Sequence, residues 1–188
     1  MTIGDWTGKV ADRLSDEFER QGHGYHIVHD HPQLGRDRSR IGKPRSSIVL
    51  DDGTKAMLAD LDMAVRTNDT DEVFALVEVE EKGRKPKVLL GDILATLLGS
   101  NVRFRGRDQK LDDNIHLIVL AYSMSDAQKG RMDFLEKEAN LLKEKLNAAN
   151  AKRIGIVVMD TFRDELELES KLRGLIAAAW AERPRFRD

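Results

Sequence analysis

Two kinds of hydrophobic pattern alternate along the chain. Over residues 5 to 21, Trp6, Val10, Leu14 and Phe18 recur every fourth residue and Ala11 joins their arc, which predicts an amphipathic helix. Glu17 falls inside that arc, whereas Asp12, Asp16 and Glu19 fall outside it. Gly22 and Gly24 end the helix. Residues 25 to 29 read as a strand, residues 32 to 45 as a loop, and residues 47 to 50 as a short strand that turns at Asp51-Asp52-Gly53. Residues 56 to 66, AMLADLDMAVR, are expected as a single strand with carboxylates embedded in it. After a turn at 68 to 71, residues 73 to 81, VFALVEVEE, form a strand rich in Val and Phe.

The second half changes period. Residues 87 to 98 predict an apolar helix, with Val88, Leu89, Ile93, Leu94, Leu97 and Leu98 available to face a sheet. Residues 115 to 121 and 154 to 159 are near-continuous apolar runs, the pattern of strands buried on both faces. Between them, residues 126 to 149 predict a long helix with Leu135, Leu142, Leu146 and Ala149 along one stripe, either packed on the core or forming a dimer seam. A last helix spans 165 to 180, with Leu168, Leu172, Leu175, Ile176 and Ala179 as its apolar side, and residues 182 to 188 read as a frayed tail. The order is helix, three or four strands, helix, strand, helix, strand, helix. An antiparallel meander followed by parallel crossovers is expected, hence one α/β domain over residues 1 to 188 with a mixed sheet and helices on both faces.

Two strands carry acids where apolar residues normally sit. On one continuous strand, Asp60 and Asp62 would share a face; on the other, Glu78, Glu80 and Lys82 would share a face with Phe74 and Leu76. A strand that is apolar on both faces until its acids begin describes a central strand whose end opens into a site. If the two strands are neighbours, Asp62 and Glu78 converge, and a divalent cation relieves their repulsion. The plainer alternative is that Glu78 and Glu80 lie on the exposed face of an edge strand.

With these residues the chain resembles the PD-(D/E)XK nuclease superfamily, the restriction-endonuclease-like fold. The resemblance covers residues 5 to 121 and rests on Ala59-Asp60-Leu61-Asp62, on the run from Phe74 to Lys82, and on the order helix, strand, strand with Asp, strand with Glu-x-Lys, helix. It implies an αβββαβ core, followed over residues 122 to 181 by a C-terminal αβα extension. It also implies a metal-dependent endonuclease hydrolysing DNA phosphodiester bonds, with Asp62 and Glu78 holding Mg²⁺ or Mn²⁺. No Pro precedes Asp62, and the motif fits two registers: Glu78-x-Glu80, with Glu80 in the lysine position, or Glu80-x-Lys82. In the first, Lys82, Lys85 or Lys87 would supply the missing cation. Asp60 and Glu17 are accessory candidates, Glu17 because the family often carries a glutamate on its first helix.

Composition bears on partners and compartment. The 188 residues, 40% hydrophobic, suffice for a core, and no apolar run approaches the ~18 residues of a membrane helix. The N-terminus has no basic region leading into an apolar stretch, so no signal peptide is expected. The absence of cysteine excludes disulfides and thiolate chemistry and suits a cytoplasmic protein. A net charge of −2 first argues against a polyanion partner. Yet three short segments carry +11, leaving −13 for the rest. They contain Arg36, Arg38, Arg40, Lys43 and Arg45; Lys82, Arg84, Lys85 and Lys87; and Arg103, Arg105, Arg107 and Lys110. Such basic loops on an acidic body make a footprint for nucleic acid, DNA first.

Other features are weaker. His23, His26, His29 and His31 cluster within nine residues, as zinc ligands can, but more simply as a polar edge. Asp160 ends a strand and reads as a turn residue. A homodimer is expected if both DNA strands are cut. The competing expectations are a non-catalytic member of the same fold that binds nucleic acid or protein, and a scaffolding protein that assembles through its long helix.

Overall fold

The computed structural model describes residues 6–29, 48–51, 57–81, 86–99, 101–104, 107–123, 125–149 and 154–183. In chain order the elements are α1 (Trp6–Gln21), β1 (Tyr25–His29), β2 (Ile48–Asp51), β3 (Met57–Leu61), β4 (Met63–Thr67), β5 (Val73–Glu80), α2 (Pro86–Leu98), β6 (Asn101–Phe104), β7 (Arg107–Gln109), β8 (Leu111–Tyr122), α3 (Asp126–Ala148), β9 (Ile154–Phe162) and α4 (Glu165–Ala181). A five-stranded sheet has the order β1-β4-β5-β8-β9. Its first three strands pair antiparallel and its last three parallel, so the expected meander and crossovers are both present in one mixed sheet.

Each face of this sheet has its own apolar layer. Val10, Ala11, Leu14 and Phe18 of α1 meet Leu168, Leu172, Ile176 and Ala179 of α4 on one face. Ile93 and Leu97 of α2, with Met132 and Ala139 of α3, cover the other. Leu135, Leu142 and Leu146 pack there too, so the stripe foreseen on α3 is a core stripe. Leu94 and Leu98 of α2 instead stay exposed. Helix α1 closes with Gly22 at φ +67° and two reverse-turn bonds, His23 N–H to the Phe18 carbonyl at 3.0 Å and Gly22 N–H to the Glu19 carbonyl at 3.1 Å.

Four expectations need correcting. The run 56 to 66 is not one strand: it breaks at Asp62 into β3 and β4, which belong to different sheets. Leu61 and Met63, two residues apart, consequently enter opposite apolar layers, and Asp60 does not share a strand with Asp62. Second, Asn101–Phe104 and Arg107–Gln109 pair antiparallel in a four-stranded sheet, order β3-β2-β6-β7, where loops or element ends were expected. Third, an irregularity in β5 between Val73 and Ala75 turns Phe74 to the α1–α4 layer, away from Leu76 and Glu78. Fourth, the start of the tail is tied down: Arg183 Nε donates to Asp112 Oδ2 at 2.6 Å, and its guanidinium stacks on Trp180 at 4.9 Å. Residues 184 to 188 lie outside the described residues.

Strand β9 is the edge of the large sheet, and its outward backbone groups are met by α3. Glu136 accepts the Met159 N–H at 2.6 Å, Asn140 donates to the Val157 carbonyl at 3.3 Å, and Asn147 both donates to the Ile154 carbonyl and accepts its N–H. On the inner side, the β8–β9 register shifts opposite His116. The fully buried imidazole enters the gap, where Nδ1 accepts the Ile156 N–H at 2.9 Å. Nδ1 therefore carries no proton, and the ring is neutral with its proton on Nε2. Gly155 makes room for it, since a Cβ there would lie 2.6 Å from His116 Cε1.

Gly155→Ala should destabilise the protein by roughly 1–3 kcal/mol in urea unfolding. The same change made in a His116→Ala background should cost at least about 1 kcal/mol less, because the clash with the imidazole is gone and only the 2.9 Å approach to Asn114 Oδ1 remains; equal costs in the two backgrounds would discard this account of the bulge. Burial also holds the pKa of His116 below the ordinary histidine value. The folded chain thus takes up this proton less readily than the unfolded chain. The stability from His116 is complete above the unfolded value of ~6.5 and is lost as the pH falls. The slope of unfolding free energy against pH on the acid side of neutrality should be shallower in His116→Gln.

Candidate active site at the end of the central strand

Strand β5 is buried along its apolar length because β4 and β8 flank it and a helical layer covers each face. Acids begin where it reaches the rim. Glu78 is half-buried, while Glu80 and Glu81 are each only 7% exposed. Glu78 and Glu80 share the face of Leu76, towards α2 and α3; Glu81 has the parity of Val77 and Val79, towards α1.

Asp62 reaches this rim through strand register. The last β4–β5 pair is Met63 with Val77, and Asp62 is the residue just beyond it. Here the chain leaves the ladder, and Asp62 Oδ2 accepts the Val79 N–H at 2.8 Å in place of a strand carbonyl. At the far end of the hairpin, the Thr67 hydroxyl accepts the N–H groups of Thr70 at 3.3 Å and Glu72 at 3.1 Å, which holds the register.

Glu81 is the residue that sequence reasoning missed. Its Oε1 accepts the Thr7 N–H at 2.5 Å and also the Thr7 hydroxyl, and its Oε2 accepts the Trp6 N–H at 3.3 Å. The carboxylate thereby satisfies free donors in the first turn of α1 and complements the positive end of the helix. A signal was present: Glu81 continues the parity of Val77 and Val79, so it had to face a covered layer and find donors there.

The other candidates are dispersed. Glu17 is held by Arg173, whose Nε and Nη2 donate to it at 3.0 and 2.8 Å, and this pairing lowers its pKa. It lies more than two helical turns along α1 from the end that Glu81 caps. Asp60 is exposed on β3, paired with Val49 in the smaller sheet. Arg103 pairs with Asp108 at 3.0 Å, Lys110 pairs with Glu72, and Arg107 is exposed on β7. Lys87 falls in the first turn of α2. Lys82, Arg84, Lys85, Arg36, Arg38, Arg40, Lys43, Arg45 and Arg105 lie outside the described residues.

The histidines do not converge. His23 stacks on Tyr25, His26 Nδ1 meets Asn68 Oδ1 at 2.7 Å, and His29 Nε2 meets Asp12 Oδ1 at 3.1 Å; His31 lies outside the described residues. Asp160 pairs with Lys171 at 2.6 Å. Among the described residues, no group of three or more histidine, aspartate or glutamate side chains is arranged to hold a metal ion. None of the helices among them is long and apolar enough to cross a membrane.

No protein-family model, curated protein or solved structure matches this chain. The α/β architecture therefore stands on the strand order and pairings themselves.

Glu81→Ala leaves the first-turn donors of α1 without their acceptor and should cost about 2–3 kcal/mol in urea unfolding. Glu81→Gln keeps an acceptor oxygen and should cost about 1 kcal/mol. If the alanine variant unfolds at the wild-type urea concentration, Glu81 does not anchor α1.

Proposed function

We propose that the chain is a metal-dependent, nuclease-like phosphodiesterase centred on Asp62 and Glu78. One observation supports this reading: Asp62 follows the last β4–β5 pair, Met63 with Val77, and accepts the N–H of Val79, the residue after Glu78, at the rim of a buried strand. Their mutual repulsion is relieved by a hard cation with oxygen ligands. Two carboxylates suit a site completed by water and a phosphate oxygen.

When bound, Mg²⁺ or Mn²⁺ would supply polarisation of the phosphodiester and a water of lowered pKa. In this reading Asp62 and Glu78 hold the ion. The hydrogen bond from Val79 fixes one oxygen of Asp62. Glu80, two residues further on the same face, orients the attacking water. The exposed Arg107, together with the basic segments around residues 40 and 84, supplies phosphate contacts that position DNA without reading its sequence.

A non-catalytic member of the same fold, binding nucleic acid or protein, is favoured by a different observation. Asp62 and Glu81 both accept backbone N–H groups that hold the fold together, a role requiring no chemistry.

Plasmid cleavage with and without chelator, combined with Mn²⁺ titration, separates the two. Wild-type protein should nick DNA only with the metal present. Asp62→Asn, which keeps an acceptor for Val79, and Glu78→Gln should each lower the rate by more than about a hundredfold while Asp62→Asn unfolds near the wild-type temperature. Absence of both Mn²⁺ binding and metal-dependent cleavage would leave the non-catalytic reading.

A further inference from the structure

The inner side of α3 is fully engaged: its leucines pack on the sheet, and Glu136, Asn140 and Asn147 seal the edge of β9. Its outer side is not a uniformly solvated surface. Phe134 is 61% exposed and Leu141 is 45% exposed. They lie seven residues apart, two turns along one face and about 10 Å of helix. Ala127 and Ala148, both exposed, continue the same spacing at either end. Single exposed apolar residues are ordinary on a protein surface. What distinguishes this stripe is the charge around it. Arg131, Lys137, Glu138 and Glu144 flank it, all exposed, and among the described residues no ion pair within the chain engages them.

We propose that this face binds a second copy of the same chain, with the two α3 helices antiparallel about a two-fold axis between Lys137 and Glu138. That axis carries Phe134 onto Leu141 of the other copy, and Ala127 onto Ala148. It also carries Lys137 onto Glu138 and Arg131 onto Glu144, and every one of these contacts occurs twice. The surface is thus self-complementary in both shape class and charge, as an isologous contact requires. A parallel arrangement fails, because it sets Lys137 against Lys137 and Glu144 against Glu144. The other route to self-association, strand pairing along β9, is occupied by α3 itself.

Sedimentation equilibrium on the full chain tests this directly. The wild type should show a concentration-dependent monomer–dimer equilibrium. Phe134→Asp should weaken it about a hundredfold or more. Lys137→Glu turns two symmetric attractions into repulsions and should weaken it about tenfold. Adding Glu138→Lys to Lys137→Glu exchanges the partners and should restore affinity to within about threefold of wild type. All three positions are exposed, so the variants should keep the wild-type circular dichroism spectrum. A chain that stays monomeric at every concentration, or a double charge exchange that fails to restore association, would overturn the proposal; the first result would also give the face to a different partner.

Discussion

A strand covered on both faces cannot end in carboxylates unless something meets them. Strand β5 imposes this constraint on the whole molecule. Its apolar length, Val73 to Val77, is buried between two helical layers, and its acids begin at the rim. Glu81 is met by the first turn of α1, which fixes where that helix docks. Asp62, arriving from β4, takes the N–H of Val79 and marks where the chain passes from one sheet to the other. The α2–α3 face of the rim carries Glu78 and Glu80. The proposed site and the anchoring of α1 are therefore two answers to one desolvation problem.

Away from the rim, charge holds the helical layers in register. Glu165, Arg13, Glu169, Arg173 and Glu17 form a continuous chain of ion pairs between α4 and α1. Its links run in the same order along both helices, so the two lie parallel, as α1 and α4 must if both begin at the same sheet rim. At the opposite end, Arg183 spans Asp112 and the rings of Trp180 and Phe74. Exposed pairs of this kind add little stability individually, but the network leaves one way for α4 to lie.

Much of this was legible in the sequence, and the reasons are local. The four-residue repeat of α1, the Val- and Phe-rich run of β5 and the apolar runs of β8 and β9 each match the period of the element they form. The antiparallel-then-parallel order followed from which connections contain a helix. The misreadings occurred where a tertiary contact overrides a local pattern. Nothing in AMLADLDMAVR announces a break at Asp62, because the break depends on a backbone N–H seventeen residues away. The edge position of β9 was hidden for a similar reason: side chains of α3 satisfy its backbone, so its sequence did not need the charges of an exposed edge. The adjacency of the strands that carry Ala64 and Leu76 was legible, whereas Glu17 was drawn off by Arg173 on an element that only the fold brings near.

The part of the chain beyond residue 122 reads as an appendage to a complete core, but β9 supplies the pairing partner of β8. Until residues 154 to 162 are in place, the near-continuous apolar run from Leu117 to Ala121 has one side open to any passing strand. Helix α4 completes the same apolar layer that α1 begins. The first and last helices thus close a single structure, and no boundary between them could be cut without exposing a surface that seeks another chain.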